Sequence, residues 1–298
     1  MNDSIDASLP RKLLLATDLS ARCDRPLERA RQLAAQWQAS LDLLTVREGP
    51  QVPAEVVNWL AGPDASTEAE FDARRDIARE FEGCGFPVSL HFADGDVADA
   101  VQQAATRLDS ALVIAGAARI NTLGEMFLGS TVERLARSLG RPLLVVRQRA
   151  RTPYRRILVP LDFSAAARLA LETAARLFPD AQLILFHAHA PGLDALADAM
   201  PAAGGSDGEL RLRCERFLDT CALAPPVRAR IVADSAPGAP EAVIGRYVRE
   251  HAVDLAVLGL HSQAGMLRLF IGSKGEQLLR SLDCDTLLVC TGASDENT

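Results

Sequence analysis

The sequence predicts an α/β protein built from two parallel-sheet domains in tandem, spanning residues 1–150 and 151–298. Three observations predict it. Gly116 stands thirteen residues before Gly129-Ser130-Thr131, and Gly259 stands thirteen before Gly272-Ser273-Lys274. Upstream, Leu15-Ala16-Thr17-Asp18-Leu19-Ser20 rhymes with Val159-Pro160-Leu161-Asp162-Phe163-Ser164. Asp18 and Asp162 are 144 residues apart, Gly116 and Gly259 143 apart. Finally, short apolar runs alternate with helix-period segments in both halves, the pattern of successive β-α units.

The strands follow from runs rich in Leu, Val and Ile, nearly continuous as in strands covered on both faces. In the first half they are expected at 12–16, 41–46, 88–92, 111–115 and 143–146. In the second they are expected at 157–161, 183–186, 227–232, 255–258 and 286–289. Helices fill the gaps at 26–38, 68–82, 97–108 and 131–139, then at 165–178, 208–221, 240–250 and 274–282. Asp96 and Ser164 suit helix N-caps, and Pro240 suits a first-turn position. The stretch from Arg147 to Arg156 carries five arginines with Pro153 and joins the halves. It reads as a solvated linker, with a phosphate-binding strip as the alternative. Segments 48–67 and 190–207 break the periodicity after the second strand of each half and read as flaps beside the ligand-binding edge.

Composition narrows the function classes. Hydrophobic residues make up 48% and charged residues 24%, the balance of a globular protein. A net charge of −7 argues against general binding to nucleic acid or anionic membranes. No run approaches the roughly 18 apolar residues a membrane span needs. The acidic start, Met1-Asn2-Asp3-Ser4-Ile5-Asp6, lacks the basic and apolar regions of a signal peptide, so a cytoplasmic location is expected. The six cysteines form no C-x-x-C pair and read as scattered free thiols.

Candidate ligand chemistry lies at the C-terminal edge of the sheets. Helix N-termini there expose unpaired N–H groups and a partial positive charge. Glycine lets backbone approach a phosphate closely, and a following Ser or Thr adds a hydroxyl. Gly272-Ser273 and Gly129-Ser130-Thr131 have that composition, with Gly259 and Gly116 turning the chain after the fourth strand. Asp162 and Asp18, ending the first strand, could accept hydrogen bonds from a ribose or an adenine edge. Each also reads more plainly, as a cap or a turn.

Both halves resemble the universal stress protein domain, whose recurring segment reads G-x-x-G-(nine residues)-G-S/T. The likeness spans the chain and includes Gly95 to Val101, Gly238 to Ile244, and the final strands after Arg141-Pro142 and Cys284-Asp285. It implies a Rossmann-like fold with five parallel strands per domain in the order 3-2-1-4-5. It further implies that the two domains pack as a pseudo-dimer, with the apolar last strands paired. Its implied ligand is ATP or a related adenine nucleotide, with or without Mg. The second motif glycine is replaced by Arg119 in the first half and by Ser262 in the second. The loop after Gly116 also carries Glu125, which would repel a phosphate, whereas Arg268 and Lys274 follow Gly259. The second half is therefore the better site, with Asp162, Gly259, Ser262, Gly272, Ser273 and Lys274. Asp18, Gly116, Arg119, Gly129, Ser130 and Thr131 form a weaker one.

No Ser-His-Asp grouping, paired catalytic carboxylates, H-E-x-x-H or Walker A segment is found. His187 and His189 share one strand face, and a metal would need Asp162 as a third ligand. The leading expectation is a non-catalytic stress-response protein whose bound adenine nucleotide regulates an unidentified protein partner, with further homodimerisation open. A nucleotide-independent scaffold and a slow ATPase or autophosphorylating protein, with Ser273 as acceptor, remain as alternatives.

Overall fold

A computed structural model describes residues 9–47, 65–117, 130–189, 206–260 and 273–290. The expected flaps, apart from the helical residues 65–67 and 206–207, lie outside the described residues.

The first repeat runs β1 (Lys12–Ala16), a 3-10 turn (Ala21–Cys23), α1 (Asp24–Trp37), β2 (Ser40–Arg47), α2 (Ala65–Glu80), β3 (Val88–Asp94), α3 (Val97–Arg107), β4 (Leu112–Gly116), α4 (Ser130–Ser138) and β5 (Leu143–Val146). The second runs β6 (Arg156–Pro160), α5 (Ala165–Leu177), β7 (Gln182–His189), α6 (Ser206–Asp219), α7 (Pro225–Arg228), β8 (Val232–Pro237), α8 (Pro240–Glu250), β9 (Leu255–Leu260), α9 (Ser273–Ser281) and β10 (Asp285–Cys290).

By contact density, Pro10–Gly116 forms one compact unit and the chain from Ala117 onward another. Within the first, four strands run parallel in the order β3-β2-β1-β4. Within the second the order is β5-β10-β9-β6-β7-β8, parallel except that β10 pairs antiparallel with β5 through Thr286↔Val145, Leu287↔Leu144 and Leu288↔Leu143. The last strands of the two repeats thus pair, as the resemblance implied, and each covers the other's open edge. That ladder explains why β5 groups with the second repeat's strands.

Burial follows position in the sheet. Leu112–Ala115, Leu143–Val146 and Leu255–Leu258 are buried throughout, matching their unbroken apolar sequence. The edge strands β3 and β8 are largely half-exposed. One strand expectation needs correction. Residues 227–232 do not form the second repeat's third strand. Pro225-Pro226 open a helical turn there, and the ladder with β7 runs instead from Ile184↔Val232 to His189↔Pro237. The expected caps are in place: Asp96 accepts from the Asp99 amide at 3.1 Å, Ser164 accepts from the Ala167 amide at 3.2 Å, and Pro240 opens α8.

The arginine-rich linker is anchored at its ends. Arg147 is 2% exposed and Tyr154 5%. Asp285, fully buried at the start of β10, accepts from the Arg147 amide (2.7 Å), the Gln148 amide (2.9 Å) and the Tyr154 hydroxyl (2.6 Å). The Arg147 guanidinium donates to the Leu279 carbonyl at 2.8 Å in the last turn of α9, where a cation complements the helix dipole.

Candidate functional site

Both repeats make one local structure after their first strand. Asp162 Oδ1 accepts from the Ser164 amide at 3.0 Å, and Asp18 Oδ1 from the Ser20 amide at 2.9 Å. The intervening residue is left-handed in each: Phe163 at φ 64° and Leu19 at φ 56°. Bulky residues adopt this region only where surroundings fix it, and here the carboxylate bridges the turn. In the second repeat Phe163 is held further. Its ring lies 5.1 Å from His187, 6.0 Å from Phe217, and beneath the Arg213 guanidinium at 4.2 Å. Arg213 and Phe217 come from α6, so this helix clamps the turn. Sequence reading missed both, because nothing local to α6 marks what it covers.

Gly259 has a physical reason that the turn argument did not give. It sits inside β9, and a Cβ there would collide with the Ala166 carbonyl oxygen in the first turn of α5. Helix and strand approach so closely that only glycine fits. A Cβ on Gly116 would instead meet the Pro26 side chain at 3.4 Å, an ordinary contact.

The strand ends of the second repeat enclose a cavity of about 420 Å³. Asp162 and Gly259 both line it, with His187 at the end of β7, Ile244 of α8, and Leu278 and Leu279 of α9. Its walls are mostly apolar, with a carboxylate and an imidazole at one side, the composition of a small-molecule site. His187 Nδ1 lies 2.7 Å from the Leu161 carbonyl. Ser273 and Lys274 are the first two residues of α9, whose later turn forms the cavity wall. Gly272 and Ser262 lie outside the described residues.

In the first repeat β1 pairs with β4 through Ala16↔Ala115, so Asp18 and Gly116 follow neighbouring strand ends. A cavity of about 350 Å³ opens between the β1 turn and α2, with Thr17, Ser20 and Cys23 beside Asp24, Asp76 and Glu80. Neither Asp18 nor Gly116 lines it. Burial works to raise the Asp18 pKa, but hydrogen bonds from Ser20 and Cys23 outweigh it and hold the carboxyl below its usual range. Ser130 and Thr131 open α4. Arg119 and Gly129 lie outside the described residues.

Among the described residues no group of three or more His, Cys, Asp or Glu could hold a metal ion. His187 and His189 stack at 6.3 Å instead. No described helix is long and apolar enough to cross a membrane. The described cysteines are all unpaired, and burial pushes the Cys284 thiol up to about 12 and that of Cys290 to about 11, which suppresses thiolate chemistry.

Comparison with known proteins agrees with this architecture. A universal stress protein from Archaeoglobus fulgidus DSM 4304 superposes with a TM-score of 0.72 at 18% identity, covering 95% of this chain and 99% of that one. A functionally unknown protein from Pseudomonas aeruginosa PAO1 follows at 0.65 and 19%, covering 96% and 95%. A putative universal stress protein from Pseudomonas aeruginosa UCBPP-PA14 gives 0.63 and 19%, covering 94% and 93%. At these identities the likeness is one of fold. No curated protein matches the sequence significantly. The profile of the Universal stress protein family matches twice, at residues 10–147 and 153–289. The chain belongs to the universal stress protein family and carries two copies of its domain in tandem.

Proposed function

We propose that the second repeat binds ATP or a related adenine nucleotide without catalysing a reaction on it, and that occupancy regulates a protein partner. One observation carries the reading: Asp162 and Gly259, picked out by repeat spacing alone, line the same cavity at the C-terminal edge of the sheet. Asp162 uses one carboxylate oxygen on the Ser164 amide, which leaves the other to accept from the adenosine. The α9 N-terminus, from Ser273 and Lys274, would offer its first amides and a partial positive charge to the phosphates, with Gly272 and Ser262 proposed for the same role. The apolar walls suit a purine ring. Near its other end α9 carries Arg280, which pairs with Glu133 of α4 at 3.5 Å. A shift of α9 on binding would therefore reach a helix of the first repeat, a route to a partner surface.

The first repeat is assigned at most a weaker site at Asp18, Gly116, Arg119, Gly129, Ser130 and Thr131. A nucleotide-independent scaffold is the second reading. It is favoured by Gly259, whose identity close packing already explains.

The test is mass spectrometry of ligand released by denaturing freshly purified protein, followed by calorimetric titration of AMP and ATP. Adenine nucleotide at no more than about one per chain, with binding abolished by filling the cavity in Ile244→Trp, supports the proposal. Absence of any adenine nucleotide binding leaves the scaffold.

A further inference from the structure

The second repeat's cavity is lined by two residues with hydrogen-bond acceptors that no described residue engages, Asp162 and His187. Asp162 Oδ1 is occupied by the Ser164 amide, while Oδ2 has no partner among the described residues. His187 is the other. Its Nδ1 faces the Leu161 carbonyl at 2.7 Å. A carbonyl can only accept, so Nδ1 must carry the proton, and in the neutral ring Nε2 then presents a lone pair. No described residue donates to Nε2. The ring cannot easily turn away: Phe163 packs against it at 5.1 Å and His189 stacks on it at 6.3 Å with 26° between planes. Asp162 and His187 both line the cavity.

We propose that His187 is a specificity-determining residue of this site, its Nε2 accepting a hydrogen bond from the nucleoside beside Asp162. The inference rests on the nucleotide reading above and deepens it. Two acceptors lining one mostly apolar cavity select a ligand that offers two donors, because a ligand lacking one leaves a desolvated acceptor unpaired. A nucleoside has two such places, the ribose 2′,3′-diol and the adenine exocyclic amine.

The experiment titrates AMP, 2′,3′-dideoxy-AMP and IMP into the full-length wild type and His187→Asn. Asparagine can keep the bond to the Leu161 carbonyl through its amide nitrogen while carrying no atom at the Nε2 position. Wild type is expected to bind AMP roughly tenfold better than one of the two analogues, which identifies the donor read. His187→Asn is expected to bind AMP about 3- to 10-fold more weakly and to lose that preference, with the other analogue's ranking unchanged. Unchanged affinity for AMP, or equal weakening for all three ligands, overturns the inference while the nucleotide reading stands. Failure of the wild type to bind any of the three overturns both. Should the variant not fold, the imidazole ¹⁵N spectrum of wild type decides: an upfield shift of His187 Nε2 on adding AMP supports acceptance, and a stationary resonance refutes it.

Discussion

In the first repeat the Asp18 carboxylate is bonded back to its own loop, accepting from the Ser20 amide and from the side chains of Ser20 and Cys23. In the second, Asp162 accepts from the Ser164 amide and lines a cavity. The fifth residue after each aspartate marks the difference. It is Cys23 in one and Ala167 in the other, and alanine has no donor with which to occupy the carboxylate. The fourth strand diverges as well. At Gly116 the backbone has room beside Pro26, whereas at Gly259 it presses on Ala166. Duplicated sequence thus preserved a turn in both copies, while the residues around each aspartate diverged.

The strongest way to break this contrast is to add one methyl group to each glycine. Gly259→Ala would drive Cβ into the Ala166 carbonyl oxygen, which belongs to a helix and cannot swing aside. A loss of roughly 3 kcal/mol or more is expected in urea unfolding. Gly116→Ala meets only ordinary contact and should stay within about 1 kcal/mol of wild type. Equal effects at the two positions would remove the packing asymmetry.

Charge gives a second test, read by ligand binding. Asp162→Asn keeps an oxygen for the Ser164 amide but removes the negative charge facing the cavity. Adenine nucleotide affinity is expected to fall about tenfold, the value of one charge-assisted hydrogen bond. Asp18→Asn should leave it unchanged in the same calorimetric titration. Equal losses would mean that the first repeat binds too.

The polar anchor of the linker sharpens the comparison from another side. Asp285 holds Tyr154 and the amides of Arg147 and Gln148, whereas the matching stretch of the first repeat reads Arg141-Pro142 and supplies no carboxylate. Tyr154→Phe should cost about 1–3 kcal/mol in urea unfolding, since it strips a donor from a fully buried carboxylate. A neutral result would show that the two amides alone satisfy Asp285.

These features differ in how far the sequence exposed them. The central strands were legible because burial on both faces leaves an unbroken apolar run, as in Leu112–Ala115 and Leu255–Leu258. The edge strand Val232–Pro237 was not, because one open side admits Asp234 and Ser235 and erases the apolar signal. Asp162 and Gly259 were legible through repetition, though the reason for Gly259 was not, since Ala166 lies 93 positions away in sequence. The same distance problem hid the Tyr154–Asp285 bond, 131 residues apart, and the placement of Arg213 over Phe163. Local chemistry shows in a sequence; which distant surface it meets is decided by packing.

The smallest expected effect probes the Asp18 carboxylate itself. Although burial works to raise it, hydrogen bonds from Ser20 and Cys23 hold the Asp18 pKa below its usual range. A carboxyl depressed in the folded state contributes stability above its unfolded pKa of about 3.9 and loses it as pH falls through the folded value. Asp18 is exposed, so solvent screening keeps the contribution small. Replacing Cys23 with alanine imitates Ala167 and removes one donor, which moves the folded pKa back toward the unfolded one. Urea midpoints recorded between pH 5 and pH 2.5 should then decline less steeply for Cys23→Ala than for wild type, with any offset above pH 5 constant. Parallel curves across that window would show that the thiol does not hold Asp18, and Cys23 against Ala167 would cease to explain how the two aspartates differ in their partners.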